Sequence, residues 1–527
     1  MPDSNSSCAS RDSFRVSRVD LTGRTLRGTA LSGFGTVFRF VGGLVTSSVM
    51  ARLLTPPDFG LFEIVSSVAG VFAGVKSLGL AEATVQDEEL DQEKASGLFW
   101  VNVAFGAVLS AIMVFLGPLL AVVYSEPALA WLNGFVGITF LLSGLSVQHG
   151  ALLVRQQQFG KALTADIAGL TIAGVAAALA AMKGWGPWSL AIQAVLASVS
   201  VAICLWLMMS WRPNTRVVRG PALGSLLRFG GNVTLARLIA VVSFRLDKLL
   251  LAGFVATEEL GQYGRASYLA MLFQSYVVGA VEMPVRSFLS RIWADSPSLA
   301  RKSYFRYLRL LVAFPLFGGL MLSLVAPEVV RLVLGPQWER AGEFFRILAV
   351  GGTVRILHSA AFTPFVSFGE GGRLLRWSVR ALLVLLPIYI VAAPFGSIAM
   401  SFAYVIVSVL VPAYGIAEAV RIFDMGNELR SRENWRVLLA VTLAYVSGLC
   451  ARLRLDQTGG SMVGSPSIRI AILLLSVSTL YVVFLGTLSR PTLSDARHLL
   501  GAWLRSRDKT RRSVQKSDGQ ISDLLRK

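Results

Sequence analysis

An α-helix needs about 20 mostly apolar residues to cross a hydrocarbon core about 30 Å thick, and this chain of 527 residues carries fourteen such runs in succession. They lie at about 29–50, 59–80, 97–123, 128–150, 162–182, 187–210, 228–254, 264–287, 307–326, 343–367, 374–393, 396–420, 435–451 and 467–489. Lipid offers no water to satisfy backbone N–H and C=O groups, so runs of this kind must be helices. The expected architecture is an all-α polytopic membrane protein with about 14 transmembrane helices. Most connections have fewer than 20 residues, which leaves no room for a soluble domain. Charged residues make up 15% of the chain, against about 25% in soluble domains.

Lysine and arginine orient the spans, because cytoplasmic loops retain them. With the N-terminus inside, the inner segments carry 35 Lys and Arg and the outer segments 8, alternating loop by loop. Both termini are therefore expected in the cytoplasm, and the net charge of +19 is an orientation signal rather than a nucleic-acid patch. Residues 1–28 form a basic tail without the apolar core of a cleaved signal peptide. In the tail 490–527, Leu493, Leu499, Leu500, Trp503 and Leu504 alternate with Arg497, Arg505 and Arg507. This pattern fits a short helix lying on anionic lipid and equally a solvated basic tail. Cys8, Cys204 and Cys450 have no metal-ligand spacing, and neither GxxxxGK[ST] nor HExxH occurs. No metal, cofactor or ATP-driven motor is expected.

The chain also repeats itself. Ala51-Arg-Leu-Leu-Thr-Pro-Pro-Asp-Phe-Gly-Leu-Phe62 aligns with Ala252-Gly-Phe-Val-Ala-Thr-Glu-Glu-Leu-Gly-Gln-Tyr263 at an offset of 201. Tyr124-Ser-Glu-Pro-Ala-Leu129 echoes Leu334-Gly-Pro-Gln-Trp338 at the outer end of a helix pair. Six helices separate the copies, so the expected lobes, 29–210 and 228–420, have parallel topology. A cytoplasmic linker, 211–227, joins them, and 421–489 adds two helices. Parallel-repeat transporters bind substrate near the midplane between halves.

Charges inside spans cost about 2.5–3.5 kcal/mol each on insertion scales and mark function when they face a bundle interior. Six cations lie deep in the runs, namely Arg39, Lys76, Arg237, Arg245, Lys248 and Arg355, but only two acids, Asp247 and Glu282. Glu63, Asp166, Arg265 and Glu418 sit nearer span ends, within snorkelling reach. On a continuous seventh helix, Arg237, Arg245 and Lys248 share a sector about 80° wide over about 16 Å of rise. Asp247 flanks that sector, placed to pair with one of them. Arg355 and His358 share a face of the tenth helix, and His358 is a candidate proton-coupling group. The plain alternative is that the cations pair with acids and lock helices together; two acids account for only part of the set. A cavity with a cationic lining suits phosphate, for which arginine is the fitting donor.

At this point the sequence resembles the polysaccharide exporters of the multidrug/oligosaccharidyl-lipid/polysaccharide (MOP) superfamily. The likeness rests on Ala51 to Leu61, Ser77-Leu-Gly-Leu-Ala81 with its acidic loop, and Phe99-Trp-Val-Asn102. It continues through Leu246-Asp-Lys-Leu-Leu-Leu-Ala-Gly253, Leu260-Gly-Gln-Tyr-Gly-Arg-Ala266 and Leu334-Gly-Pro-Gln-Trp338. Together these cover about residues 30–420 in the family's order. The resemblance implies two six-helix lobes, with two extra helices here. It also implies a flippase for undecaprenyl-(pyro)phosphate-linked oligosaccharide in the bacterial inner membrane, serving O-antigen, capsule or exopolysaccharide synthesis. Its partners would be the glycan polymerase and glycosyltransferases of that route. The family supplies no fixed site residues, so the cationic set is read from spacing alone. A multidrug antiporter of the same superfamily predicts essential deep acids, which the cation excess opposes. A peptidoglycan lipid II flippase differs only in cargo. A glycan polymerase or ligase needs a larger outer loop than 327–342 or 452–466 provides, and no paired carboxylates stand there.

Overall fold

A computed structural model describes residues 21–74, 80–87, 90–214, 235, 238–457, 466–489, 491, 492 and 494. Among them the regular structure is entirely helical. Lys76, Arg237, the interfacial reading of 493–507 and most of the linker 211–227 lie outside the described residues. The first helices are α1 (Leu21–Leu53), α2 (Pro56–Ala73), α3 (Leu80–Gln86) and α4 (Gln92–Val123). They are followed by α5 (Ala128–Arg155), α6 (Phe159–Met182), α7 (Pro187–Met208), α8 (Leu246–Leu251) and α9 (Thr257–Asp295). After these come α10 (Pro297–Leu311), α11 (Phe317–Leu324), α12 (Ala326–Val333), α13 (Glu339–Val354) and α14 (Ile356–Ser367). The chain closes with α15 (Gly371–Ala392), α16 (Gly396–Ile422), α17 (Gly426–Leu429), α18 (Arg432–Gln457) and α19 (Pro466–Leu488).

Eight segments among the described residues are long and apolar enough to cross a membrane. One of them, Gly371–Ile422, has 52 residues and would be about 78 Å long as one helix. It is two helices, α15 and α16, turned by Ala393–Phe395. The count is one of described residues, and those near 228–254 are only partly described. Large apolar side chains such as Phe115, Val122, Leu207 and Phe395 are more than three-quarters exposed. In water that would be untenable, and against acyl chains it is expected. Trp131 and Trp185 are exposed near helix ends, where indole rings anchor at the headgroup level.

The chain divides into two compact units. The first holds the described residues up to Leu54 and those within Ile64–Val241. Its helices α4 to α7 run without interruption. The side chain of Asp91 caps α4 by accepting from the amide of Lys94 at 2.7 Å. Arg155, at the end of α5, donates to the carbonyls of Thr84, Val85 and Asp87 and so closes the C-terminus of α3. A core of Leu80, Leu98, Phe99, Leu152, Leu205 and Trp211 fills the space between these elements.

The second unit comprises Thr55–Glu63 and Val242–Gly501. Here helices are interrupted. The regular helical pattern lapses at Phe244-Arg245, where Arg245 has φ −117°, and again at Arg355, which keeps near-helical angles and separates α13 from α14. A π-helical turn, Val312–Leu316, joins α10 to α11. The C-terminal pair α18 and α19 packs its Val437, Val441, Ala444, Val477 and Leu485 on Leu316, Leu320 and Leu324. Arg452 reinforces this seam through paired contacts with Glu328 at 3.0 and 3.1 Å.

Candidate functional site

The motif residues of the second unit converge on one another. Phe59 meets Trp338 edge-to-face at 5.2 Å. Gln262 donates to the carbonyl of Gln337 at 2.8 Å and accepts from the amide of Ala341 at 3.0 Å. The start of α2 crosses the start of α9 with no side chain between the backbones. A Cβ at Gly60 would stand 1.8 Å from the carbonyl oxygen of Thr257, and one at Gly261 would stand 1.9 Å from that of Pro56. At the offset of 201, Gly60 corresponds to Gly261 and Pro56 to Thr257. The two copies of the repeated turn therefore cross through equivalent residues, as a local two-fold would require.

Beside this crossing lies a charge cluster. Glu63 is 5% exposed and its carboxylate stands 3.6 Å from Lys248 Nζ, 3.6 Å from Arg265 and 4.0 Å from Arg245. The Arg265 guanidinium also lies over the rings of Phe59, at 4.5 Å, and Tyr268, at 4.9 Å. The expectation that Asp247 pairs with a cation of its own helix is not met. Asp247 is buried and accepts from the hydroxyl of Tyr263 at 2.9 Å, while its other oxygen has no hydrogen-bond partner. The reason is the interruption at Phe244-Arg245. The angle drawn for Asp247 on a continuous seventh helix does not carry across it, and α8 presents Asp247 to α9 instead.

The second interruption holds the other cation. Arg355 lies 3.6 Å above the ring of Phe244 and 5.3 Å from that of Tyr404. Among the described residues it has no carboxylate within 4 Å. His358, one turn on, packs edge-on to Phe244 at 5.9 Å and against Trp377 at 4.8 Å. Phe244 thus joins the two interruptions, touching Arg355 and His358 while preceding Arg245 in the chain. A guanidinium held between aromatic faces keeps its N–H edge for an anion, since rings satisfy only its face.

Of the residues singled out from sequence, Arg245, Lys248, Asp247, Arg355 and His358 fall in this region. Arg39 belongs to the first unit, where it pairs with Asp166 at 2.7 Å. Glu282 pairs with Arg286 on α9, about 26 Å along that helix from Arg265. The residues missed were Glu63, Arg265 and the rings of Phe244 and Tyr404. One signal was present for Glu63: the repeat aligns it with Gly264, and a Cβ at Gly264 would stand 2.8 Å from its Oε2. An acid opposite a glycine of its twin has space made for it.

A family model described as polysaccharide biosynthesis protein matches residues 49–343. The chain belongs to this family. The matched segment includes Glu63, Arg245, Asp247, Lys248 and Arg265 and stops short of Arg355 and His358. Among relatives of this family member is the lipopolysaccharide biosynthesis protein WzxC of Escherichia coli (strain K12). It is 22% identical over 405 residues, which are 74% of this chain and 80% of WzxC. The succinoglycan biosynthesis transport protein ExoT of Rhizobium meliloti (strain 1021) is 24% identical over 340 residues, 64% of this chain and 67% of ExoT. Among solved structures, the lipid II flippase MurJ in an inward closed conformation superposes with a TM-score of 0.64 at 11% identity, covering 88% of this chain and 99% of MurJ. At that identity the likeness is one of fold.

Proposed function

We propose that this family member is a flippase, not an enzyme, that carries an undecaprenyl-(pyro)phosphate-linked oligosaccharide from the inner to the outer leaflet of the bacterial inner membrane. The cargo serves O-antigen, capsule or exopolysaccharide synthesis, and the polymerase and glycosyltransferases of the same route act before and after it. The observation that carries this reading is Arg355, a guanidinium with no acid in reach among the described residues, lying against two rings where a helix is interrupted. Interrupted helices mark substrate sites in transporters because they free polar groups at membrane depth. Arg355 and Arg245 would bind the phosphate, with Lys248 beside them; Arg237, Arg39 and Lys76 are the further cations that the sequence offers to the same cargo. Asp247, Glu282 and His358 are the candidates for ion coupling or for tuning affinity. The lobes 29–210 and 228–420 would alternate access about that site, with both termini in the cytoplasm as the charge bias of 35 to 8 supports. Binding must be similar in both orientations, or the cargo would not leave.

The test is to delete the gene and extract the lipid-linked glycans. Mass spectrometry shows whether a complete repeat unit accumulates, and a membrane-impermeant glycosidase shows on which leaflet. A complete unit held on the cytoplasmic leaflet is the expected result. A complete unit on the outer leaflet would instead assign the chain to polymerisation or ligation, and a normal pool in a strain without redundant carriers would favour export of small molecules.

A further inference from the structure

Resting on that reading, the Glu63 cluster raises a question of charge. A phosphate needs cations that are not already neutralised, yet Arg245, Lys248 and Arg265 all face one carboxylate. Their distances to it, 4.0, 3.6 and 3.6 Å, are longer than the roughly 2.7–2.9 Å of a tight charge-assisted pair. Among the described residues, one anion shared among three cations leaves a surplus of two positive charges. Asp247, engaged by Tyr263, offsets at most one of them. Without Glu63, three cations would be buried together against their mutual repulsion, so the unloaded protein needs it. A protein loaded with phosphate has a second anion and does not.

We infer that Glu63 is an internal counter-anion, a stand-in that holds the cationic cluster when no cargo is bound and gives ground to the cargo's phosphate. Arg245 is the member a phosphate meets first, because its side chain is 28% exposed against 3% for Lys248 and 13% for Arg265. Gly264 provides the room in which the carboxylate sits and from which it can shift. Competition with Glu63 weakens cargo binding by design, which serves a carrier whose cargo must depart as readily as it arrives.

The experiment uses the full chain purified in detergent, with farnesyl diphosphate as a soluble isoprenyl diphosphate and farnesol as the uncharged control. Binding is compared among the unaltered protein, Glu63→Gln and Glu63→Asp. Glu63→Gln removes the competing charge and should bind the diphosphate about tenfold more tightly, a gain of about 1.4 kcal/mol. Glu63→Asp draws the carboxylate back by one methylene and should tighten binding about threefold. Farnesol should be unaffected, and flipping by Glu63→Gln should slow as release becomes limiting. Unchanged or weaker diphosphate binding by folded Glu63→Gln overturns the inference. So does failure of both variants to yield monodisperse protein, which would make Glu63 a purely structural lock. If neither the unaltered protein nor the variants bind diphosphate, the phosphate-carrier reading itself falls and takes this inference with it.

Discussion

The unit built on Ile64–Val241 and the unit built on Val242–Gly501 bury polar groups by opposite rules. In the first, the buried polar side chains among the described residues are neutral, including Thr84, Asn102, Asn133, Gln148 and His149. Several lack partners: both amide atoms of Asn102 and the Nε2 of Gln148 make no hydrogen bond. In the second, the core takes charges, namely Glu63, Asp247, Lys248 and Arg452, and each has a partner. An unpartnered neutral group costs about 1–3 kcal/mol, which a long helix pair can absorb. An unpartnered buried charge costs far more, so charges enter only as networks. The helices follow suit, continuous in the first unit and interrupted in the second beside Arg245 and at Arg355. Substrate chemistry is expected where the fold pays for both.

The largest effect that would sharpen this contrast is on transport. Arg355→Glu should reduce export of the glycan at least about 100-fold, equivalent to about 2.7 kcal/mol, with folded protein retained in the membrane. Asn102→Leu, in the other core, should leave export within about threefold; equal losses from both would erase the distinction. Next in size is Lys248→Met, which leaves Glu63 facing two cations across a gap and Asp247 without its neighbouring charge. It should lower stability in detergent by about 3 kcal/mol, read as a shift in thermal unfolding. Arg452→Leu should cost about 2 kcal/mol, and Arg452→Leu with Glu328→Leu should recover most of it. The smallest is His149→Phe. The imidazole already packs at 4.5 Å on Trp206, so a ring of similar size keeps the contact, and the loss of its polar contacts to the backbone at Leu145 and Trp211 should cost about 1 kcal/mol.

The apolar runs made the membrane class and most helices readable, because hydrophobic length is a one-dimensional property. The motifs carrying the family likeness proved to be neighbours in space, from Phe59 against Trp338 to Gln262 against Gln337. What could not be read was where helices stop. Proline is the usual marker of a kink, yet Pro118, Pro364, Pro387 and Pro412 all sit inside helices here. Membrane helices tolerate proline because neighbours satisfy the freed carbonyl. The π-helical turn Val312–Leu316 carries a proline, Pro315; the interruptions at Phe244-Arg245 and Arg355 do not, and there the Arg355 guanidinium lies over the Phe244 ring from a segment about 110 residues away. Arg245 and Lys248 still face one carboxylate, as their shared sector predicts, while Asp247 turns to Tyr263 and Arg237 lies outside the described residues. Glu63 was misjudged because distance from a span end measures depth in lipid, whereas its burial comes from the backbone crossing at Gly60 and Gly261.

That crossing also bears on symmetry. A contact in which one residue meets the counterpart of a second, and the second the counterpart of the first, is what a homodimer has about its two-fold axis. A dimer of identical chains must place two acids at such an axis or none, and two facing carboxylates repel. A single polypeptide is free of that restriction, and here one copy of the turn carries Glu63 where the other carries Gly264. The lone negative charge at the centre of the cluster is something a dimer of identical chains has no way to build.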